Sequence, residues 1–232
     1  MASFVDAEFG EITIRRVAHA RYVRIKVRTD GRFEATAPLL TPTLFIKKMV
    51  TDSRAKLRNL AAHTSIMHPY VDGQQIGKEH AIAVIPTTMV TSAQVSTLRN
   101  RIIVKLPPNS TLADKSIQQS LRVAVAKILR KEAREYLPSR LSALASTHGF
   151  RYARLRFSHS GGRWGSCTSQ GTISLNIALM KLPDTLIDYV LIHELCHTRH
   201  MNHSPAFWQA VETIDPLYKT HRKLLKKHTP II

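Results

Sequence analysis

The chain has 232 residues, of which 44% are hydrophobic and 22% charged, which is ordinary for a globular protein with a sizeable core. Its 34 Lys and Arg residues outnumber 16 Asp and Glu residues, and the formal charge of +18 favours acidic partners such as nucleic acid or nucleotides. Two cysteines are too few for a disulfide framework, and no apolar run is as long as a membrane span. The N-terminus has no signal-peptide pattern, so we expect a cytoplasmic protein with no membrane partner.

The first part of the chain is rich in predicted strands. Residues 11–37 alternate apolar and polar side chains, with Asp30-Gly31 as a hairpin turn. In the next segment, 41–62, the apolar spacing lengthens to that of an amphipathic helix. Residues 69–106 return to strands, and a hairpin is predicted across Arg99-Asn100-Arg101. No internal repeat is visible in the sequence.

A turn-rich tetrapeptide, Pro107-Pro108-Asn109-Ser110, is the strongest boundary signal in the chain. It predicts a strand-rich region, 1–108, followed by a second region, 109–232, and we expect the two to form one compact unit. The second region begins with a long amphipathic helix predicted over 112–148, which Pro138 should kink or divide.

The remaining elements are short. Two predicted strands, 153–157 and 172–175, surround a Gly- and Ser-rich loop, 158–167. Pro183-Asp184 then starts an apolar helix, and Ser204 is a suitable cap for a further one. A basic cluster near the end of the chain fits a solvated helix face or a nucleic-acid contact. Its members are Lys219, Arg222, Lys223, Lys226 and Lys227.

The apolar helix carries His193 and His197, four residues apart, with Glu194 beside the first. Two such imidazoles lie about 40° apart around the helix axis and about 6 Å apart along it, so both can reach one ion. This H-E-x-x-H pattern predicts a zinc site at which Glu194 takes a proton from water. His203 is the preferred third ligand, because Ser204-Pro205 can turn the chain back into a new helix.

Other side chains near this motif have several possible roles. His200 competes with His203 as third ligand, although the spacing favours His203. Phe207 and Trp208 should pack the next helix against the metal-binding helix and support His203.

The run 163–175 should supply a strand edge that holds an extended peptide. Within it, Arg163 fits an oxyanion, phosphate or carboxylate contact and equally a surface salt bridge. Trp164 fits a core anchor or a substrate platform. His159 and His221 are candidate transition-state donors or ordinary surface histidines.

With these residues in hand, the chain resembles the YgjP-like metallopeptidase family, a branch of the zincins related to SprT-like and WLM proteases. The resemblance implies that His193, His197 and His203 bind one zinc ion per chain, that Glu194 is catalytic, and that the protein is cytoplasmic. The residues that match the family are concentrated over 150–215. The segments that carry it are Arg163-Trp164-Gly165-Ser166-Cys167, Leu175-Asn176, Asp188-Tyr189-Val190, His193-Glu194-Leu195-Cys196-His197, Asn202-His203-Ser204-Pro205 and Phe207-Trp208.

The expected fold is α+β and zincin-like, with a strand-rich N-terminal half, a helical catalytic half and a short active-site sheet. The expected function is zinc-dependent hydrolysis of peptide bonds in a peptide or protein substrate, with Glu194 as general base. Two alternatives stay open. One is hydrolysis of a nucleoside triphosphate phosphoanhydride, which Arg163 and the net charge would suit. The other is a nucleic-acid-associated role in which the zinc is mainly structural.

Overall fold

The chain folds into two compact units, Met1–His68 and Pro69–Ile232. The sequence predicts a boundary at 108/109, whereas the units separate before Pro69. The difference arises because the strands within 75–106 share one apolar core with the long helix that follows them, so Pro107-Pro108 is a connection inside that unit. The computed structural model describes residues 2–27, 32–58, 69–159 and 161–232.

The first unit is a four-stranded sheet covered by a helix. Ile12 and Ile14 alternate inward from the second strand and share a core with Ile46 and Val50, which lie one helical turn apart. The predicted turn at Asp30-Gly31 and the end of the helix predicted over 41–62 lie outside the described residues. The elements are β1 (Ala2–Asp6), β2 (Gly10–Arg16), β3 (Arg24–Val27), β4 (Phe33–Ala37) and α1 (Thr43–Asp52).

The second unit begins with another four-stranded sheet. The hairpin predicted across Arg99-Asn100-Arg101 is present, but its turn is one residue shorter, since Arg101 already belongs to a strand and pairs with Leu98 in antiparallel register. The elements are β5 (Gln75–Ile76), β6 (His80–Pro86), β7 (Gln94–Leu98), β8 (Arg101–Leu106) and the long helix α2 (Lys115–Thr147).

The two four-stranded sheets have the same topology. The strand orders are β1-β2-β4-β3 and β5-β6-β8-β7, and in each sheet the central pair is parallel and both outer pairs are antiparallel. A helix follows each sheet in the chain. The structure therefore contains a topological repeat that the sequence does not reveal, because the copies share alternation of apolar residues rather than the residues themselves.

Helix α2 runs without interruption through Pro138, where the sequence predicts a kink or a break. Its apolar face is buried from Ile117 to Ala145. Its buried Gln118 accepts a hydrogen bond from the Tyr70 N–H (2.8 Å) and donates one to the Tyr70 carbonyl (3.0 Å). A side-chain amide thus satisfies backbone groups of the segment that precedes β5.

A three-stranded sheet and three helices complete the second unit. The strands are β9 (Arg154–Ser158), β10 (Gly165–Cys167) and β11 (Thr172–Asn176), in the order β10-β11-β9. The end of the segment predicted as a loop over 158–167 is therefore an edge strand, antiparallel to β11. The helices are α3 (Asp184–Cys196), α4 (Pro205–Ile214) and α5 (Tyr218–Leu225).

Helix α3 is buried on most of its surface and is fixed to α2 by a bidentate ion pair. Arg140 donates from Nε and Nη2 to the two carboxylate oxygens of Asp188, at 2.7 and 2.5 Å. The expected α+β class, with a strand-rich first half and a helical second half, is confirmed. Among the described residues, no helix combines the length and the apolar character needed to cross a membrane.

Candidate metal centre

Three imidazoles converge where α3 ends. His193 lies in the last turn of α3 and His197 at its C-cap. The Nε2 atom of His193 lies 3.2 Å from Nε2 of His197 and 3.1 Å from Nε2 of His203. Nitrogen ligands at about 2.0–2.1 Å from a tetrahedral zinc ion lie about 3.3 Å from one another. The three nitrogens are therefore spaced as ligands of one ion would be.

The turn after α3 brings His203 back to the helix. Ser204 caps α4 by accepting a hydrogen bond from the Phe207 N–H at 3.4 Å, and proline occupies the start of that helix. His200, the competing third ligand, is not part of the histidine cluster. Its backbone carbonyl instead accepts a hydrogen bond from Nδ1 of His197 at 3.0 Å, which leaves the lone pair of His197 on Nε2.

Two aromatic residues of α4 support the three imidazoles. The ring of Phe207 is fully buried and contacts all three, with centroids 4.5 Å from His197 and 4.9 Å from both His193 and His203. The indole of Trp208 stacks on His203 at 5.4 Å. The geometry agrees with the predicted packing of α4 against α3.

The electrostatics of the cluster favour neutral imidazoles. Burial is the largest cause that lowers the pKa of His193 to about 3, and the neighbouring His197, His203 and Arg222 lower it further. Burial likewise lowers the pKa of His197. Only a neutral imidazole has a lone pair to give to a metal, so these rings are ready to act as ligands at neutral pH.

Glu194 is buried beside the cluster. Burial raises the pKa of Glu194 to about 8, and the positive charge of Arg163 acts in the opposite direction. Its Oε2 atom has no hydrogen-bond partner among the described residues. A buried, unpartnered carboxylate oxygen next to three convergent nitrogens fits a divalent ion and a water molecule. The carboxylate pKa would fall again next to such an ion.

The edge strand β10 lies against Glu194. A Cβ atom added to Gly165 would lie 2.6 Å from Oε1 of Glu194, so only glycine permits this approach. Arg163 is exposed just before the strand, and Trp164 is half-buried and packs on the core. The sequence did not indicate the contact between Gly165 and Glu194, because a pairing across so many residues leaves no local signal.

His221 of α5 is half-buried and is connected to the histidine cluster through Tyr189. Its Nδ1 atom lies 2.8 Å from Oδ2 of the buried Asp215, and its ring lies 6.3 Å from that of Tyr189. Tyr189 in turn lies 6.1 Å from the ring of His193. His159, the other candidate donor, is exposed at the end of β9.

Residues 21–228 match the family described as YgjP-like, metallopeptidase domain. The chain belongs to this family. It is therefore a hydrolase of the metallopeptidase class, and the family implies a catalytic metal. None of the curated proteins matches the chain.

Two solved structures share a smaller region with this YgjP-like chain. The metallopeptidase zymogen abylysin of Pyrococcus abyssi is 26% identical, covers 39% of this chain and 92% of its own, and has a TM-score of 0.36. The metallopeptidase zymogen jannalysin of Methanocaldococcus jannaschii is 15% identical, covers 39% of this chain and 94% of its own, and has a TM-score of 0.35.

The histidine cluster predicts the metal content of the purified protein. We expect about one zinc ion per chain in the wild type and loss of most of it in His203→Ala, because two nitrogens alone hold zinc weakly. His200→Ala is the matched control and should keep its zinc, since only the backbone of that residue contacts the site. Elemental analysis after dialysis measures both. A wild type without metal, or full metal content in His203→Ala, would contradict the site.

The contact between β10 and Glu194 predicts the effect of a single methyl group. Gly165→Ala should keep its metal but lose about a hundredfold in turnover, because the new Cβ displaces the carboxylate of Glu194. Gly162→Ala is the control, since a Cβ there meets no atom within 4 Å. Steady-state rates on any hydrolysed substrate compare the two, and equal rates would show that the carboxylate position is unimportant.

Proposed function

We propose that this chain is a zinc-dependent peptidase, with His193, His197 and His203 as ligands and Glu194 as general base. The observation that carries the proposal is the convergence of three Nε2 atoms beside a buried carboxylate oxygen that has no partner among the described residues. Zinc held by three protein nitrogens polarises a carbonyl group and lowers the pKa of water towards 7.

In this proposal Glu194 moves the proton. Its carboxylate accepts a proton from the attacking water, then passes it to the nitrogen of the leaving amine. The position of Glu194 supports this role, since its buried Oε2 atom has no hydrogen-bond partner among the described residues and is available to a water molecule. Burial and the close approach of Gly165 restrict the positions that the Glu194 carboxylate can take, which favours a preorganised general base.

A peptide substrate would be held by β10. This strand pairs with β11 on one side and lies at the edge of its sheet, so its other side offers backbone N–H and C=O groups to an extended chain. Gly165, which touches Glu194, is the first residue of that edge. A peptide added there would run past the general base, and the backbone contacts would give affinity with little dependence on side chains.

The test of this function is a hydrolysis screen of wild type beside Glu194→Gln. We expect wild type to cleave peptides or unfolded proteins, and Glu194→Gln to lose about two to four orders of magnitude in rate while keeping its metal, because the amide cannot take a proton. Unchanged turnover in Glu194→Gln would remove the general-base role. Parallel reactions with nucleoside triphosphates test the alternative, since cleavage of these alone would replace the peptidase proposal.

We also propose that His221 contacts the substrate. Because Nδ1 of His221 is engaged by Asp215, Nε2 is the nitrogen left to donate to an oxyanion that forms during hydrolysis. His221→Asn should lower kcat by about a hundredfold with little change in KM or metal content. His228→Asn, at an exposed histidine of the same segment, should leave the rate unchanged. A loss confined to KM, or no loss, would assign His221 to packing.

A further inference from the structure

A groove runs between α2 and the edge strand β7, outside the catalytic centre. It consists of three adjoining cavities of about 510, 490 and 310 Å³. Thr97 and Lys127 line both the first and the second, and Val95 and Ser120 line both the second and the third. Together they extend along α2 from Ser116 to Glu135, which is roughly 29 Å at 1.5 Å per residue.

Five cationic side chains line one end of this groove, which we call the basic groove. Four project from one face of α2, at helical spacings of three and four residues, and the fifth stands on the β7–β8 turn opposite them. That fifth residue, Arg99, holds a left-handed backbone conformation (φ 49°), which is uncommon for arginine. The five are Arg99, Lys127, Arg130, Lys131 and Arg134.

These charges are almost uncompensated within the protein. The contact between Lys131 and Glu135, at 4.0 Å, is the only ion pair that the five make among the described residues. Both of its members are exposed, so the pair contributes little. Like charges at this density repel one another, and an anionic ligand would remove that repulsion.

The wall of the basic groove includes a fixed imidazole. His80 lines the first cavity and is only 7% exposed. Its Nδ1 atom lies 2.8 Å from Oε1 of Glu132, a buried carboxylate on α2 that also accepts the Lys78 N–H at 2.9 Å. A Cβ on Gly77 would overlap this carboxylate, so the glycine leaves room for Glu132 beside the turn between β5 and β6. With Nδ1 engaged, Nε2 of His80 is the nitrogen that remains for a ligand.

We propose that the basic groove binds the phosphate backbone of a nucleic-acid duplex. Arginine and lysine side chains are the groups that contact phosphates most often, and the hydroxyls of Ser96, Thr97 and Ser120 continue the line of donors along the groove. Its length matches about eight base pairs at 3.4 Å each. None of the described residues that line it is Phe, Tyr or Trp, and the ring of His80 is buried, so it offers no platform for the stacked bases of a single strand.

The proposal is independent of the peptidase function and is tested by binding alone. Fluorescence anisotropy with labelled DNA and RNA duplexes, titrated over a range of salt, compares wild type with the variant Arg99→Gln/Lys127→Gln/Arg130→Gln/Arg134→Gln. At roughly 100 mM salt the variant should bind at least about tenfold more weakly. The slope of log K against log salt should fall by about 3 to 4, since each lost phosphate contact removes about 0.9.

A control variant removes the same number of charges from the exposed C-terminal cluster, by Lys219→Gln/Lys223→Gln/Lys226→Gln/Lys227→Gln. It should bind within about threefold of wild type, and both variants should keep wild-type metal content because neither alters the histidine cluster. Failure of wild type to bind either duplex at low salt, or an equal loss in both variants, would overturn the proposal. So would equally tight binding of a poly-glutamate peptide, which would make the groove a site for acidic protein segments.

Discussion

The ring of Phe207 behind three imidazoles is the contact on which the metal centre depends. The Nε2 atom of His193 lies 3.2 Å from that of His197 and 3.1 Å from that of His203, so the three rings must be held at suitable angles to share one ion. The fully buried phenyl ring contacts His193, His197 and His203 alike and fixes their planes. Burial of such a side chain contributes about 2–3 kcal/mol, which stabilises the packing of α4 against α3. Ser204, by capping α4, sets the position from which Phe207 reaches the rings.

Helix α2 holds the elements of the second unit together, as Phe207 holds the three imidazoles. Its apolar face packs in the core, while three of its polar side chains hold neighbouring segments in place. Gln118 holds the backbone of Tyr70, and Glu132 holds the turn between β5 and β6. Arg140 anchors α3 through Asp188. One helix thus connects a sheet to the helix that carries the histidines, which explains why residues 69–106 belong to the catalytic unit.

Local patterns predict much of this molecule, and long-range contacts account for what they miss. The cap at Ser204 and the β7–β8 hairpin each involve residues close in sequence, and both are found. The assignment of His193, His197 and His203 as ligands stays a prediction, although the structure brings the three side chains together. The repeated strand order depends on a parallel pairing of β2 with β4 and of β6 with β8, which skips the intervening strand. Register across such a gap has no local signature. The approach of Gly165 to Glu194 is missed for the same reason.

The solvated face of α2 illustrates how the spacing of charges can distinguish a ligand-binding surface from one that serves only solubility. A helix face that serves only solvation usually alternates acidic and basic residues four positions apart, because each such pair adds a few tenths of a kcal/mol. Here Lys127 faces Lys131, and Arg130 faces Arg134, so two like-charged pairs replace two favourable ones at about 0.2–0.5 kcal/mol each. Arg99 adds a fifth charge from a strained turn conformation, again at the expense of stability. The two like-charged pairs and the conformation of Arg99 each lower the stability of the fold. A polyanionic ligand explains their presence at one place better than solubility does, because the net charge of +18 already provides solubility.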